Sequence, residues 1–258
     1  MSVIALMLLG IGTADAVRTR SWGEAGRSST IAILSGLSML VLLAVLADLS
    51  TGTDALLLVV AAALISGWVL TSGEDFVRRR GAATPLLILA LGCAVLILGS
   101  GAASQAAGSV SRWLGWSAWS GAMTDGMDAD RVLLLAGLLL IQLATGNVLV
   151  RLVLVQVGAI RRPGSPQPSD RLRGGRLLGP MERLVILGLG LAGEVTAASL
   201  VIAAKGLIRF PELQHSRQGE GSSLDDSLEV YEVTEYFLIG SFVSWLIALT
   251  ALAVAMLS

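Results

Sequence analysis

The chain has 258 residues, of which 54% are hydrophobic and 14% are charged, and its net charge is −1. A soluble domain carries roughly a quarter charged residues, so this composition excludes an ordinary soluble fold. The small net charge gives no support to nucleic-acid binding. Since Cys93 is the only cysteine, an intrachain disulfide and a multi-cysteine metal site are excluded. The composition predicts an all-α, polytopic membrane protein whose first partner is the lipid bilayer, and it indicates no cofactor and no metal.

Seven apolar segments are candidates to cross a bilayer as helices, which requires about 20 residues each. They are residues 3–17, 31–49, 55–70, 86–98, 132–150, 184–204 and 236–257. The first segment is short and carries Asp15 near its end. No basic residue precedes it, which favours a spanning segment over a cleaved signal peptide, with an interfacial segment as the other alternative.

The charges of the predicted loops alternate along the chain. Arginines collect after spans one, three and five, whereas aspartate and glutamate dominate the loops between them. Because cytoplasmic loops carry the excess of basic residues, the N-terminus is predicted outside and the C-terminus in the cytoplasm. Lys205 is the only lysine among 18 basic residues, and this composition is typical of a GC-rich bacterium. The predicted location is therefore a bacterial plasma (inner) membrane.

A loop rich in tryptophan lies between spans four and five, at residues 104–120. Trp113, Trp116 and Trp119 are spaced three apart and so share one helical face. Indole rings favour the headgroup boundary, so these residues predict an amphipathic helix that lies along the outer membrane surface. A helix that docks onto a partner protein is the alternative.

The domain organisation follows from a stretch rich in Arg, Pro and Gly, which predicts a flexible cytoplasmic linker. The predicted parts are residues 1–160 with five spans, the linker at 161–176, and residues 177–258 with two spans and an acidic outer loop.

Glu194 lies deep in a predicted span, about eleven residues from the start of span six. An ionisable group at such depth marks either a polar contact between helices or a site that binds protons or cations. Gln142 reaches a similar depth in span five, so a Gln142–Glu194 hydrogen bond is a hypothesis. With two neighbouring polar residues, Asn147 and Thr196, they form a candidate midplane site.

Three glycines in span six, Gly188, Gly190 and Gly193, match the spacing G-x-G-x-x-G. In a soluble βαβ unit this spacing predicts a dinucleotide site. No second strand pattern and no partner acid follow, and the apolar run simply continues. Close packing of membrane helices through small residues is therefore the interpretation.

Charged residues flank span six on both sides. Lys205 and Arg209 are predicted to reach the outer interface, where the acidic loop is available to pair with them. On the inner side, Pro180 suits a first helical turn and Glu182 suits the positive end of the helix dipole. Glu182 and Arg183 are therefore the predicted inner helix start, with Arg183 at the cytoplasmic headgroups.

The sequence GGRLLGPMERLVILGLGLAGEVTAASLVIAAKGLIRF, followed by EYFLIG, resembles the C-terminal part of a family of bacterial multi-pass membrane proteins of unknown function. The shared pattern falls within residues 174–240 and reads Gly-Gly, Ile/Leu-Gly-x-x-Glu-Arg, an apolar run, and Ala-Ala-Lys-x-x-x-Arg-Phe. At the position of Glu194 this family more usually has an uncharged amide. The resemblance implies no activity, and it adds Glu235 and Tyr236 to Lys205 and Arg209 as a candidate outer charge cluster.

Two classes of function remain. A non-catalytic scaffold or accessory subunit of a membrane assembly would have a dry interior and a protein partner or a second copy of itself. A transporter or channel for a small solute or ion would have a water-filled cavity that reaches the midplane site around Glu194. The first is favoured, because one intramembrane carboxylate is little evidence for a pathway. No nucleophile–base pair, P-loop or metal-ligand spacing supports an enzyme.

Overall fold

The computed structural model describes residues 1–20, 25–116, 128–159, 175–204 and 224–257. Apart from turns and short connections, the chain in these ranges is helical, so the predicted all-α class is confirmed. Four helices are long and apolar enough to cross a membrane, and a fifth span results if one bent helix pair crosses as a unit. The chain is therefore a helical membrane protein with four to five such spans among the described residues.

The helices are numbered here in chain order. They are α1 (Ser2–Arg20), α2 (Ala25–Leu46), α3 (Gly52–Thr71), α4 (Glu74–Arg80), α5 (Ala83–Gly99), α6 (Gly108–Trp116), α7 (Ala129–Leu143), α8 (Thr145–Gln156), α9 (Gly175–Leu191), α10 (Val195–Ala204) and α11 (Leu224–Leu257). The chain forms two compact units, the first comprising Met1–Val148 with Leu257–Ser258 and the second comprising Leu149–Met256. The predicted linker at residues 161–176 lies almost entirely outside the described residues.

Helix α1 occupies the centre of unit 1. It packs against α2, α3, α5 and α7, and side chains on every side of it are buried, including Ala5, Leu6, Ile11 and Ala14. A helix that is apolar all round is stable only when other helices surround it, and that is its environment here. The segment predicted as a short first span is thus the core of unit 1.

Glycines bring the neighbouring helices close to α1. A Cβ atom added to Gly36 of α2 would lie 2.8 Å from the carbonyl oxygen of Gly10, and one added to Gly137 of α7 would lie 3.2 Å from the carbonyl oxygen of Ala5. Small residues at such positions let helix backbones approach within a bilayer, where close van der Waals packing drives association. The centre of unit 1 is therefore filled by side chains and backbone.

At the end of unit 1 that contains the first turn of α3, two aspartate carboxylates accept hydrogen bonds from the backbone of the segment before α6. Thr51 and Asp54 form a reciprocal capping box at the start of α3, and the second carboxylate oxygen of Asp54 accepts a 2.9 Å hydrogen bond from the backbone N–H of Ser104. Asp130 of α7 accepts a 2.8 Å hydrogen bond from the backbone N–H of Ala106. These contacts fix the chain just before α6.

Two of the predicted spans are not continuous helices. Span five is divided into α7 and α8, which meet at Ala144 with a bend of 50°. The bend falls beside Thr145 and Gly146, two residues with weak helix propensity. Span six is divided into α9 and α10 by a turn at residues 192–194. The hydropathy pattern showed both apolar runs but neither interruption.

Unit 2 contains the packed pair α9 and α11. Gly190 of α9 lies directly against the side chain of Leu252 in α11, so its lack of a side chain permits this approach. At the middle of α11, Gly240 lies close to α8, with a Cβ position 3.7 Å from Leu154. Ile186 and Leu187 are completely buried on the same side of α9.

Candidate functional site

The turn between α9 and α10 is the structural setting of Glu194. Gly193 has a φ of +83°, and the N–H of Glu194 donates to the carbonyl of Leu189 while the N–H of Gly193 donates to that of Gly190, at 2.8 and 3.1 Å. This hydrogen-bond pair is the Schellman motif, in which glycine takes the left-handed position that ends a helix. Gly193 of the G-x-G-x-x-G spacing therefore stops α9, while Gly190 packs against α11.

Glu194 is the last residue of the turn and directly precedes Val195, the first residue of α10. The Glu194 side chain is exposed, and its carboxylate forms no hydrogen bond or ion pair with the described residues of unit 2. The first backbone hydrogen bond of α10 joins the N–H of Ala198 to the carbonyl of Glu194, so the amides of the first turn have no acceptor within the helix. Thr196 is also exposed. A carboxylate and free helix amides thus meet at one place on the surface of unit 2.

An exposed stripe on α9 leads to this turn. Three residues of α9, Met181, Val185 and Gly188, recur at helical spacing with Ala192, the first residue after the helix. All four are exposed, with Met181 61% accessible. A Cβ added to Gly188 would meet no atom within 4 Å, so open space lies beside it. Gly188 and Ala192 have the small-xxx-small spacing through which membrane helices dock against each other. We call this surface, together with Glu194, the α9 stripe.

The other two residues of the predicted midplane site lie in the bent α7–α8 pair. Gln142 is completely buried in α7 and belongs to unit 1, whereas Asn147 of α8 is exposed. Because Gln142 and Glu194 belong to different units, the hydrogen bond between them stays a prediction. Within unit 2, only Glu194 and Thr196 of the four are together.

A buried polar network in unit 1 was not predicted from the sequence. Asp15 is completely buried; its Oδ2 accepts a 3.0 Å hydrogen bond from the indole N–H of Trp68, and its Oδ1 accepts a 2.8 Å charge-assisted bond from Arg18. Arg18 also donates to the hydroxyl of Ser72 at 2.9 Å. The signal in the sequence was an aspartate three residues before an arginine at the end of an apolar run, which puts both side chains on one helical face.

Glu182 and Arg183, the predicted inner helix start, lie in a different setting from the one expected. Helix α9 begins at Gly175, so Pro180 and Glu182 lie inside it rather than in its first turn. Arg183 is buried within the protein rather than exposed: only 1% of it is accessible, and it donates a 3.0 Å hydrogen bond to the hydroxyl of Ser244 in α11. The arginine was expected at the surface because it directly precedes the apolar run of span six, but on α9 it lies on the side that packs against α11.

Substitution of Ser244 by alanine is expected to lower the free energy of unfolding by about 1–3 kcal/mol, because it removes an acceptor from a buried guanidinium. The measurement is SDS-induced unfolding of the detergent-solubilised protein, followed by circular dichroism. Ser241→Ala, one helical turn earlier on α11 and also buried, is the matched control with an expected change below about 0.5 kcal/mol. Equal effects of the two substitutions would contradict the role given to Ser244.

The remaining predicted site residues are described only in part. Lys205, Arg209 and Trp119 lie outside the described residues, as does the side chain of Trp116. Glu235 is exposed and Tyr236 is half-buried, both within α11, so the predicted outer charge cluster stays a prediction. Trp113 is 62% exposed on α6, which is the short helix expected within residues 104–120.

Comparisons of the chain with family models, with curated proteins and with solved structures find no match. The resemblance of residues 174–240 to a family therefore stays a prediction.

Proposed function

We propose that this protein is a non-catalytic subunit of a membrane assembly, and that the α9 stripe docks onto a transmembrane helix of another protein. One observation carries the proposal: Glu194 and the helix turn beside it are exposed within an apolar segment of the chain. The proposed partner helix carries a basic side chain at the depth of Glu194.

The physical reason is the cost of polar groups in hydrocarbon. A charged side chain at the centre of a bilayer costs roughly 2.5–3.5 kcal/mol by insertion measurements, and unsatisfied backbone groups add to this cost. A break in a membrane helix is tolerated only where protein or a water-filled cavity covers it. A lysine or arginine from a partner helix satisfies Glu194, while Gly188 and Ala192 allow the close approach that the pairing needs.

The packing of unit 1 supports a subunit over a transporter. A pathway needs polar surface that reaches water, but the middle of unit 1 is filled by α1, whose Ala5, Leu6 and Ile11 are inaccessible. Glu194 is on an exposed surface of unit 2. A broken helix is also a feature of transporters, so transport is the competing function that the experiment must separate.

We also propose the finer topology that the loop charges favour. It has seven spans in a bacterial plasma membrane, with α9 and α10 together crossing as the sixth, the N-terminus outside and the C-terminus in the cytoplasm. The support is the alternation of arginine-rich and acidic loops. In this arrangement the acidic carboxylate of Glu194 lies near the middle of the membrane.

The test is site-specific photo-crosslinking in native membranes. A photoreactive residue at Val185, on the α9 stripe, is expected to give one discrete crosslinked protein, whereas the same residue at buried Leu187 gives none. Glu194→Gln is expected to lower the yield about tenfold, since polar contacts between membrane helices contribute about 1–2 kcal/mol and 1.4 kcal/mol is a factor of ten. Glu194→Asp should retain most of the yield.

Three results would contradict the proposal. Crosslinks to lipid alone would mean that the stripe faces the bilayer, and crosslinks to a second copy alone would replace the foreign partner by self-association. The third uses Glu194→Cys in a Cys93→Ala background, with a small charged thiol reagent applied to intact membranes. Rapid labelling would show an aqueous route to this position and would favour transport, whereas a docked partner predicts protection.

A further inference from the structure

A lateral groove lies between α2 and α3 in unit 1. Its volume is about 620 Å³, and apolar side chains including Leu40, Val41, Ala44 and Val59 form most of its lining. Asp48 and Ser50 stand at the end where α2 turns into α3. The groove is thus apolar along its length and polar at one end, which is the distribution of a lipid molecule.

Asp48 is held at the mouth of the groove by an unfavourable backbone conformation. Its φ is +56°, in the left-handed position of the motif that ends α2, where Leu49 donates to the carbonyl of Ala44 at 3.1 Å. Glycine is the usual residue at this position, and another L-residue there costs about 1–2 kcal/mol, with aspartate among the better tolerated. Its carboxylate is exposed and pairs with no other group in the described part of the chain.

The start of α6 indicates the depth of this carboxylate in the membrane. The N–H of Ala107 donates to the carbonyl of Ala47 at 2.9 Å, and a Cβ on Gly108 would lie 3.0 Å from that of Asp48. Helix α6 therefore begins against the turn that contains Asp48, and it carries the exposed indole of Trp113. Because tryptophan favours the headgroup boundary, Asp48 lies at headgroup level and the apolar groove extends from it towards the hydrocarbon.

We propose that this groove binds one phospholipid with a primary-ammonium headgroup, its acyl chain lying between α2 and α3 and its ammonium paired with Asp48. The size of the groove favours an acyl chain over a partner helix. A helix about 10 Å across occupies roughly 420 Å³ per turn, so the groove would hold less than two turns. The negative charge at the mouth favours a cationic headgroup, and a compact ammonium donates hydrogen bonds that a carboxylate accepts.

The test measures retained lipid. The protein is purified in mild detergent from nanodiscs that contain equal parts of ethanolamine-, choline- and glycerol-type phospholipids, and bound lipid is counted by native mass spectrometry. The wild type is expected to retain about one ethanolamine-type lipid per chain. Asp48→Asn should reduce that retention about tenfold, whereas Asp128→Asn, which removes another exposed carboxylate, should leave it unchanged.

The apolar part is tested separately. Val59→Trp fills the groove from its exposed side and should abolish retention, while Leu34→Trp, on an equally exposed part of α2 outside the groove, should not. A lipid with a photoreactive acyl chain should crosslink to peptides from α2 and α3 in the wild type, so the test does not depend on the folding of the tryptophan variant. Three results would each overturn the proposal. All three lipids could be retained equally by the wild type and by Asp48→Asn, the anionic glycerol-type lipid could be preferred, or the crosslinks could be confined to other helices.

Discussion

Replacement of Asp15 by alanine is expected to lower the free energy of unfolding by about 3–5 kcal/mol, the usual cost of removing one partner from a buried ion pair. The substitution leaves the guanidinium of Arg18 without its carboxylate and the indole N–H of Trp68 without its acceptor. It also opens a void next to α1, in the middle of unit 1. Unfolding is measured by SDS titration of the solubilised protein, with helicity followed by circular dichroism.

Helix α4 provides a matched control for this experiment. Asp75 and Arg78 have the same i,i+3 spacing as Asp15 and Arg18, and their ion pair measures 3.3 Å, but 69% of the Asp75 side chain is accessible. Exposed pairs contribute about 0–1 kcal/mol, so Asp75→Ala should have little effect. Trp68→Phe, which removes the N–H but keeps most of the ring, should lower the free energy of unfolding by an amount between those of Asp15→Ala and Asp75→Ala. A loss below about 1 kcal/mol for Asp15→Ala would mean that the buried network is not a major source of stability.

The second large effect is expected at the contact between α1 and α2. A Cβ on Gly36 would meet the carbonyl oxygen of Gly10 at 2.8 Å and the side chain of Ile65 at 2.9 Å. Since a backbone oxygen cannot rotate away, α1 and α2 must separate, and overpacking of this kind costs about 1–3 kcal/mol. Gly36→Ala should destabilise unit 1 by that amount, and Gly36→Leu should reduce the yield of folded protein further.

Gly67 provides the comparison for Gly36, because it lies inside α3, four residues before the helix ends, with space around it. The nearest atom to its added Cβ belongs to Ile88 at 3.7 Å, an ordinary contact. Alanine is a better helix former than glycine by about 1 kcal/mol, so Gly67→Ala should be neutral or stabilising. The two glycine-to-alanine substitutions are thus expected to change the free energy of unfolding in opposite directions in the same assay. The same sign for both would show that the backbone approach at Gly36 does not limit packing.

Hydropathy was sufficient to predict the membrane class and to place the apolar segments, because both depend only on composition over about 20 residues. Helix α3 illustrates this, since the predicted residues 55–70 lie wholly within Gly52–Thr71. Where helices break could not be predicted in this way. The turn at Gly193 and the bend at Ala144 depend on single residues inside continuous apolar runs, and an averaged window hides them.

The environments of individual side chains could not be predicted from the sequence either, because they depend on which helices pack against each other. Arg183 was expected at the headgroups, yet it is buried against Ser244 of α11, 61 residues further along the chain. Asp15 was noticed only as an interruption of the first span, and its partner Trp68 is 53 residues away. Glu194 was singled out as a carboxylate within an apolar run, but its exposed position beside a helix break depends on the turn at Gly193, which hydropathy does not show.

The burial of α1 also has a consequence for biosynthesis. The ribosome makes α1 before the helices that enclose it, and α7 is completed more than 120 residues after α1. Until α3 is inserted, Asp15 lacks its indole donor, and until α7 arrives, one side of α1 faces lipid or the insertion machinery. Unit 1 therefore closes only when α7 has been made, around a helix that precedes these neighbours in the chain.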